Sequence, residues 1–291
     1  MPTLSGLRRR GYPPEAIRDF LAFAFHGWAK APRLVLLLGD TTYDPKDYYG
    51  TGVGSQIPSP TFVSSFLWTA SDPLLAAVNG EDTLPDLALG RLPASTPEEA
   101  QALVDKIIAW ETAGFTLDGP AVLVSDNPDR GGDFDSDAAE IASTVLAGRE
   151  TQQIRLSALG RTATRSAILG AFDTGAALVS YLGHGAASVW ASESLLSNWD
   201  LPALAPQARQ PLVLTFNCLN GYFTMPKMDS LAEALLKAEG KVLMVLNSMM
   251  FTSDVSDKLR KVKVKLRDEE AQSLILHFAA VKGVTVRAGT R

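Results

Sequence analysis

The sequence predicts an α/β fold built on a mostly parallel sheet with helices on both faces. Three observations predict it. Short apolar runs of strand length recur along the chain, each closed by polar or glycine residues. Stretches with apolar residues at helical spacing lie between them. The polar residues that close the runs include Asp40, Asp126, His184 and Cys218. In open parallel sheets, ligand sites form beyond the carboxyl ends of the strands.

The elements follow in order. "PPEAIRDFLAFAFHGWA" (13–29) spaces its apolar residues as a helix does. "RLVLLLGD" (33–40) is a buried strand ending in Gly-Asp. The polar segment 40–66 is too long for a simple connection and is expected to be functional or locally mobile. "STPEEAQALVDKIIAWE" (95–111) opens with a capping signal: Thr96 as N-cap, Pro97 at the first position and Glu99 three residues after the cap. The segment 113–120, "AGFTLDGP", reads as a boundary. It divides an N-terminal α/β subdomain, 1–118, from a second subdomain, 119–291.

The second half repeats the pattern. "AVLVSD" (121–126), "AALVSYLGHG" (176–185), "PLVLTFNC" (211–218) and "KVLMVLNS" (241–248) read as buried strands. A helix is expected from about 136, with Asp135 or Ser136 as N-cap. "TATRSAILGAFD" (162–173) and "DSLAEALLKAEG" (229–240) are further helices, the latter closed by Gly240. No internal repeat and no low-complexity tract is present.

Composition narrows the function classes. The 291 residues are 46% hydrophobic, enough for a sizeable core, and the formal net charge is −5. Neither nucleic acid nor an anionic membrane surface is an expected partner. The basic run "DKLRKVKVKLR" (257–267) reads as a solvated amphipathic face. No apolar run reaches the roughly 18 residues of a membrane span. The start carries charge without a following apolar stretch and cleavage site, so no signal peptide is read there. That leaves a cytosolic protein or a piece of a longer secreted precursor.

Cys218 is the only cysteine. That excludes an internal disulfide framework and a zinc site built of several cysteines. Its thiol is either packed and inert or reactive. A cysteine closing an apolar strand is usually a packed core group. The strand before it in sequence ends in Gly183-His184-Gly185, which brings an imidazole to the same sheet edge. A thiolate can attack a carbonyl while a nearby imidazole moves the proton, and a carboxylate behind the imidazole fixes its tautomer. Cys218, His184 and Asp126 fill those roles in that order. The Gly185 and Cys218 amides are candidate oxyanion donors. The other histidines, His26 and His277, lie in helical patterns and read as structural.

The acidic stretch "DNPDRGGDFDSDAAE" (126–140) reads as a helix cap or a solvated turn. Its sharper readings are a calcium loop and an anionic pocket for a basic side chain. The spacing of Asp133, Asp135 and Asp137 is calcium-like, but the glycine and distal glutamate of an EF-hand are missing. No cofactor and no metal is expected; calcium is the minor alternative.

Three motifs together resemble the gingipain family of cysteine peptidases, in the caspase-like clan. They are "LVSYLGHGAASVWASE" (178–193), "PLVLTFNCLNGYF" (211–223) and "DSLAEALLKAEGK" (229–241). "VLLLGDTTYD" (35–44) and the stretch 71–111 extend the resemblance over roughly 13–248, and 249–291 has no match among these motifs. The resemblance implies a caspase-like three-layer α/β/α sandwich of two subdomains. It implies a cysteine endopeptidase with an acyl-enzyme intermediate, Cys218 as nucleophile and His184 as general acid/base. Asp126 is the nearest match to the family's third acidic residue. Asp133, Asp135 and Trp190 are the substrate-binding candidates. A polypeptide substrate, an extracellular or cell-surface location and a larger multidomain protein are implied as well. Two alternatives stay open: a sortase-like transpeptidase, and a non-catalytic caspase-like scaffold module of a larger surface protein.

Overall fold

A computed structural model describes residues 13–63, 67–114, 119–242 and 244–248. The first twelve residues, the basic run 257–267, His277 and the whole of 249–291 lie outside the described residues.

The described chain divides into two compact units. The first comprises residues 13–100 with 222–228. Helix α1 (Pro14–Gly27) starts on a proline, whose fixed φ suits a first helical turn. Strand β1 (Leu34–Leu38) pairs in parallel with β4 (Ala88–Leu92). A hairpin of β2 (Thr61–Val63) and β3 (Trp68–Ala70) lies between them in sequence. The core joins Leu21, Leu37, Leu75, Val78, Leu87 and Leu89.

The long loop after β1 is pinned by one buried cation. Arg91 pairs with Asp72 at 2.7 Å, and both side chains are almost fully buried. The same guanidinium donates to the carbonyls of Gly39 (2.6 Å) and Ile57 (2.9 Å). One planar fork therefore ties the two ends of the loop together.

The second unit comprises residues 101–221 with 229–248. Helix α2 (Pro97–Thr112) leads into it, and the Thr96 hydroxyl caps it, accepting the Glu99 amide at 3.2 Å. Its five-stranded sheet is parallel throughout. In chain order the strands are β5 (Ala121–Ser125), β6 (Thr151–Arg155), β7 (Leu178–Leu182), β11 (Leu212–Phe216) and β12 (Met244–Ser248); the short β8 (Gly185–Ala186), β9 (Val189–Trp190) and β10 (Leu196–Ser197) form a separate antiparallel sheet. The order across the five-stranded sheet is β12-β11-β7-β5-β6.

That order contains a reversal. The chain steps outward from β5 to β6, then returns past β5 to β7. Helix α3 (Phe134–Ser143) makes the outward step and α4 (Leu156–Asp173) the return. With right-handed crossovers the two helices take opposite faces. The crevice at such a reversal, between β5 and β7 here, is where doubly wound sheets hold ligands.

Burial follows position. Every residue of β5 and β7 is buried, because each has a neighbour on both sides. The edge strand β6, "TQQIR", is largely exposed, and its polar composition hides it from a search for apolar runs. Helix α4 bends at Gly160 (φ 71°), so its regular part begins close to the expected residue 162. Helix α5 (Leu231–Lys237) opens on a capping box: Ser230 and Glu233 satisfy each other's amides. It stops before Gly240, and the half-buried ammonium of Lys106 then bonds the carbonyls of Leu236, Ala238 and Val242.

Candidate active site

The register of the sheet sets the site. Leu182 of β7 pairs with Phe216 of β11 on the last rung. His184 and Cys218 each lie two residues beyond that rung. Adjacent strands run about 4.8 Å apart, so the sheet delivers both residues to one edge at one height. A Cβ built on Gly185 would stand 3.0 Å from the Cys218 carbonyl oxygen. Glycine is thus required where the two loops pass. Ser125 of β5 pairs with Leu182 on the other side, so the residues after Ser125 join the same edge. Asp40 does not: it closes β1 in the first unit, where its carboxylate bonds Thr41 and Ser95.

His184 is held in two ways. Its imidazole Nε2 lies 2.9 Å from Asp129 Oδ2. The ring meets Phe134 edge-on, with centroids 5.5 Å apart. It also covers Gly131, where a Cβ would come within 2.9 Å of Cε1. Its main chain is fixed from beneath. The His184 amide donates to Asp126 Oδ2 at 3.0 Å, and the His184 carbonyl lies 2.7 Å from the Tyr181 hydroxyl.

Asp126 therefore differs from its expected place behind the imidazole. It is buried and turned inward, taking the amides of His184 and Asn127 and lying 3.2 Å from the Tyr181 hydroxyl. The carboxylate at the ring is Asp129, three residues further along the loop. The reason is reach: Asp126 directly follows β5 and points into the sheet end. The turn from Asp129 to Gly132, closed by reciprocal backbone bonds, swings the later carboxylate up to the ring.

The electrostatics match this division. Asp129 is held below the usual carboxylate range, first by the Gly131 amide it accepts. Desolvation opposes this, and the hydrogen bond and charge of His184 add to the lowering. The Tyr181 hydroxyl is pushed well above its ordinary value by burial, then by the neighbouring Asp126 charge. It stays protonated and able to donate.

Cys218 is partly exposed, and solvent or a substrate can reach a thiol so placed. Among the described residues no hydrogen bond joins its thiol to the imidazole, whose Nε2 is given to Asp129. Such bonds are often long without substrate and tighten when it binds. The residue after the cysteine, Leu219, has φ +61°, a strained conformation for a side chain of that size. The strain sits in the turn that lifts Cys218 off the strand end.

The substrate-binding candidates have other work. Trp190 is fully buried and stacks on Tyr181, with centroids 4.5 Å apart and planes 8° from parallel. Its place is the core beneath His184, which corrects the expectation that it touches substrate. Asp133, rather than Asp135 or Ser136, is the N-cap of α3, accepting the Ser136 amide at 3.0 Å. Asp135 is engaged on both oxygens by the hydroxyls of Ser125 and Ser157. Among the described residues no group of three acidic, histidine or cysteine side chains gathers as a metal site.

Residues 5–268 match the model of peptidase family C25, beyond the residue 248 at which the sequence motifs end. Gingipain R2 of Porphyromonas gingivalis is 26% identical over 176 residues, which cover 58% of this chain and 24% of that protein. Gingipain R1 of the same organism is 26% identical over an equal length, 18% of its own. The chain thus spans about a quarter or less of the curated relatives it matches. Among solved structures, the Arg-specific cysteine proteinase gingipain R superposes with a TM-score of 0.61 at 23% identity, covering 79% of this chain and 51% of that one. A complex of the pro- and mature domains of a P. gingivalis gingipain gives 0.66 at 18% identity, covering 93% and 67%. The shared architecture is the caspase-like α/β fold with its mostly parallel sheet.

Proposed function

Because the chain belongs to peptidase family C25, we propose that it is a cysteine endopeptidase of gingipain type. Its nucleophile is Cys218 and its general acid/base is His184. The observation that carries the reading is the register: both residues stand two positions beyond one rung of neighbouring parallel strands.

The steps follow from the groups present. His184 takes the Cys218 proton, and the thiolate attacks the carbonyl carbon of a peptide bond. Negative charge collects on the carbonyl oxygen, near the Gly185 and Cys218 amides that serve as its donors. The imidazolium then gives its proton to the leaving amine as the C–N bond breaks. Water, deprotonated by the same imidazole, hydrolyses the thioester and frees Cys218. Asp129 accepts from the protonated ring and steadies it in both half-reactions.

The substrate is a polypeptide. The chain acts as part of a larger protein at the cell surface or outside the cell, as its similarity to the much longer gingipains supports. The test is labelling with a peptidyl acyloxymethyl ketone followed by peptide mapping. Modification confined to Cys218, and lost in His184→Ala, is the expected result. Labelling elsewhere in the chain, or undiminished in His184→Ala, overturns the assignment.

A further inference from the structure

Two buried amides stand on either side of the nucleophile. Asn217 and Asn220 are 2% and 1% exposed. Asn217 Nδ2 donates to Asn220 Oδ1 at 2.5 Å. Asn220 Nδ2 donates to the carbonyls of Ala186 and Val189, the latter at 3.2 Å. Those carbonyls belong to the hairpin of β8 (Gly185–Ala186) and β9 (Val189–Trp190), which begins directly after His184.

The orientation of Asn220 is forced. Backbone carbonyls only accept, so both of its N–H groups must face Ala186 and Val189. Its oxygen is then left for Asn217, which has a donor there. The helix that follows is tied to the same amide residue, because the Ala232 amide donates to the Asn220 carbonyl at 2.9 Å. Between the two asparagines lie only Cys218 and the strained Leu219.

We propose that Asn217 and Asn220 form an amide clamp that fixes the distance between Cys218 and His184. They are positioning residues, and the inference rests on the peptidase reading of that pair. The sheet brings the strands to one height, and the Gly183 amide still donates to the Phe216 carbonyl at 3.2 Å, but both residues lie past the last rung. Asn220 joins the cysteine turn to the histidine hairpin beyond it through side-chain bonds. Leu219 keeps its strained φ because the flanking amides hold the turn closed.

The test uses Asn220→Asp, which keeps the shape but cannot donate to two carbonyls. Asn217→Ala, which removes the donor to the Asn220 oxygen, is read beside it. Iodoacetamide alkylation of Cys218 at pH 7 is timed in wild type, both variants and His184→Ala, at a temperature where circular dichroism shows native signal. Peptide kcat and KM are measured in parallel. The expected result is alkylation slowed about tenfold in Asn220→Asp and His184→Ala; kcat falls by a similar factor in Asn220→Asp with KM within about twofold, and by about a hundredfold or more in His184→Ala, which loses the acid/base itself. General loosening of the fold would expose the thiol and speed alkylation, so slowing is specific to lost coupling. If His184→Ala leaves the rate unchanged, the Cys218–His184 pair itself fails. If His184→Ala slows alkylation while neither asparagine variant does, the clamp is overturned and the pair stands.

Discussion

Asp129 Oδ2 lies 2.9 Å from His184 Nε2, while Asp126, three residues earlier, holds the same histidine by its main chain. Two carboxylates on one loop thus have separate tasks. One faces the ring and can follow its charge; the other sets where the ring begins.

Substitution separates those tasks. Asp129→Ala is expected to lower kcat about tenfold to a hundredfold with little change in KM, because the imidazolium loses its partner. Asp126→Asn retains an oxygen that can accept the His184 amide. It is expected to keep kcat within about threefold and to lose about 1–2 kcal/mol of stability. Steady-state kinetics and chemical unfolding on both variants check this. A larger loss of kcat in Asp126→Asn than in Asp129→Ala would reverse the two assignments.

The Asp129–His184 pairing has a pH signature. Its carboxylate is lowered in the fold, chiefly by the Gly131 amide. A lowered acid favours the folded state above the unfolded carboxylate range, and that benefit is lost as pH falls through the lowered value. The pairing therefore persists down to pH values below the ordinary aspartate value of 3.8. Carbon-13 titration of the Asp129 carboxyl should give a midpoint under that value in wild type. A midpoint at or above it contradicts the geometry.

Trp190 offers a test of core against cleft. Trp190→Phe keeps a ring against Tyr181 but leaves part of the site empty, and should cost about 1–3 kcal/mol. KM for peptide substrates should not move, because the indole has no exposed surface. A rise in KM without loss of stability would return Trp190 to the binding surface.

The sequence shows the fold best where burial is complete. The strands β5, β7 and β11 are read directly from their apolar runs, because a central strand of a parallel sheet must be apolar on both faces. The edge strand β6 is missed for the converse reason: its polar residues face solvent. Strand β4, "ALGRL", carries Arg91, whose charge is met by Asp72, two distant carbonyls and the Phe223 ring. No local pattern reveals such a partner. Cys218 and His184 are legible as neighbours at one sheet edge because each closes an apolar run. Asp129 is not, since a two-residue turn closure decides which of several nearby carboxylates reaches the ring. The Gly131-Gly132 pair is the one local sign of a tight return there. Asn220 reads as a simple turn residue, and only the fold shows what its amide holds.

Every step of the proposed mechanism depends on Cys218 as the nucleophile. The most direct measurement is hydrolysis of a broad peptide library by the whole protein, wild type against Cys218→Ala, with matched folding by circular dichroism. Cleavage by wild type, and none above the uncatalysed background in Cys218→Ala, is the expected result. Cleavage that survives in the folded Cys218→Ala protein would contradict it.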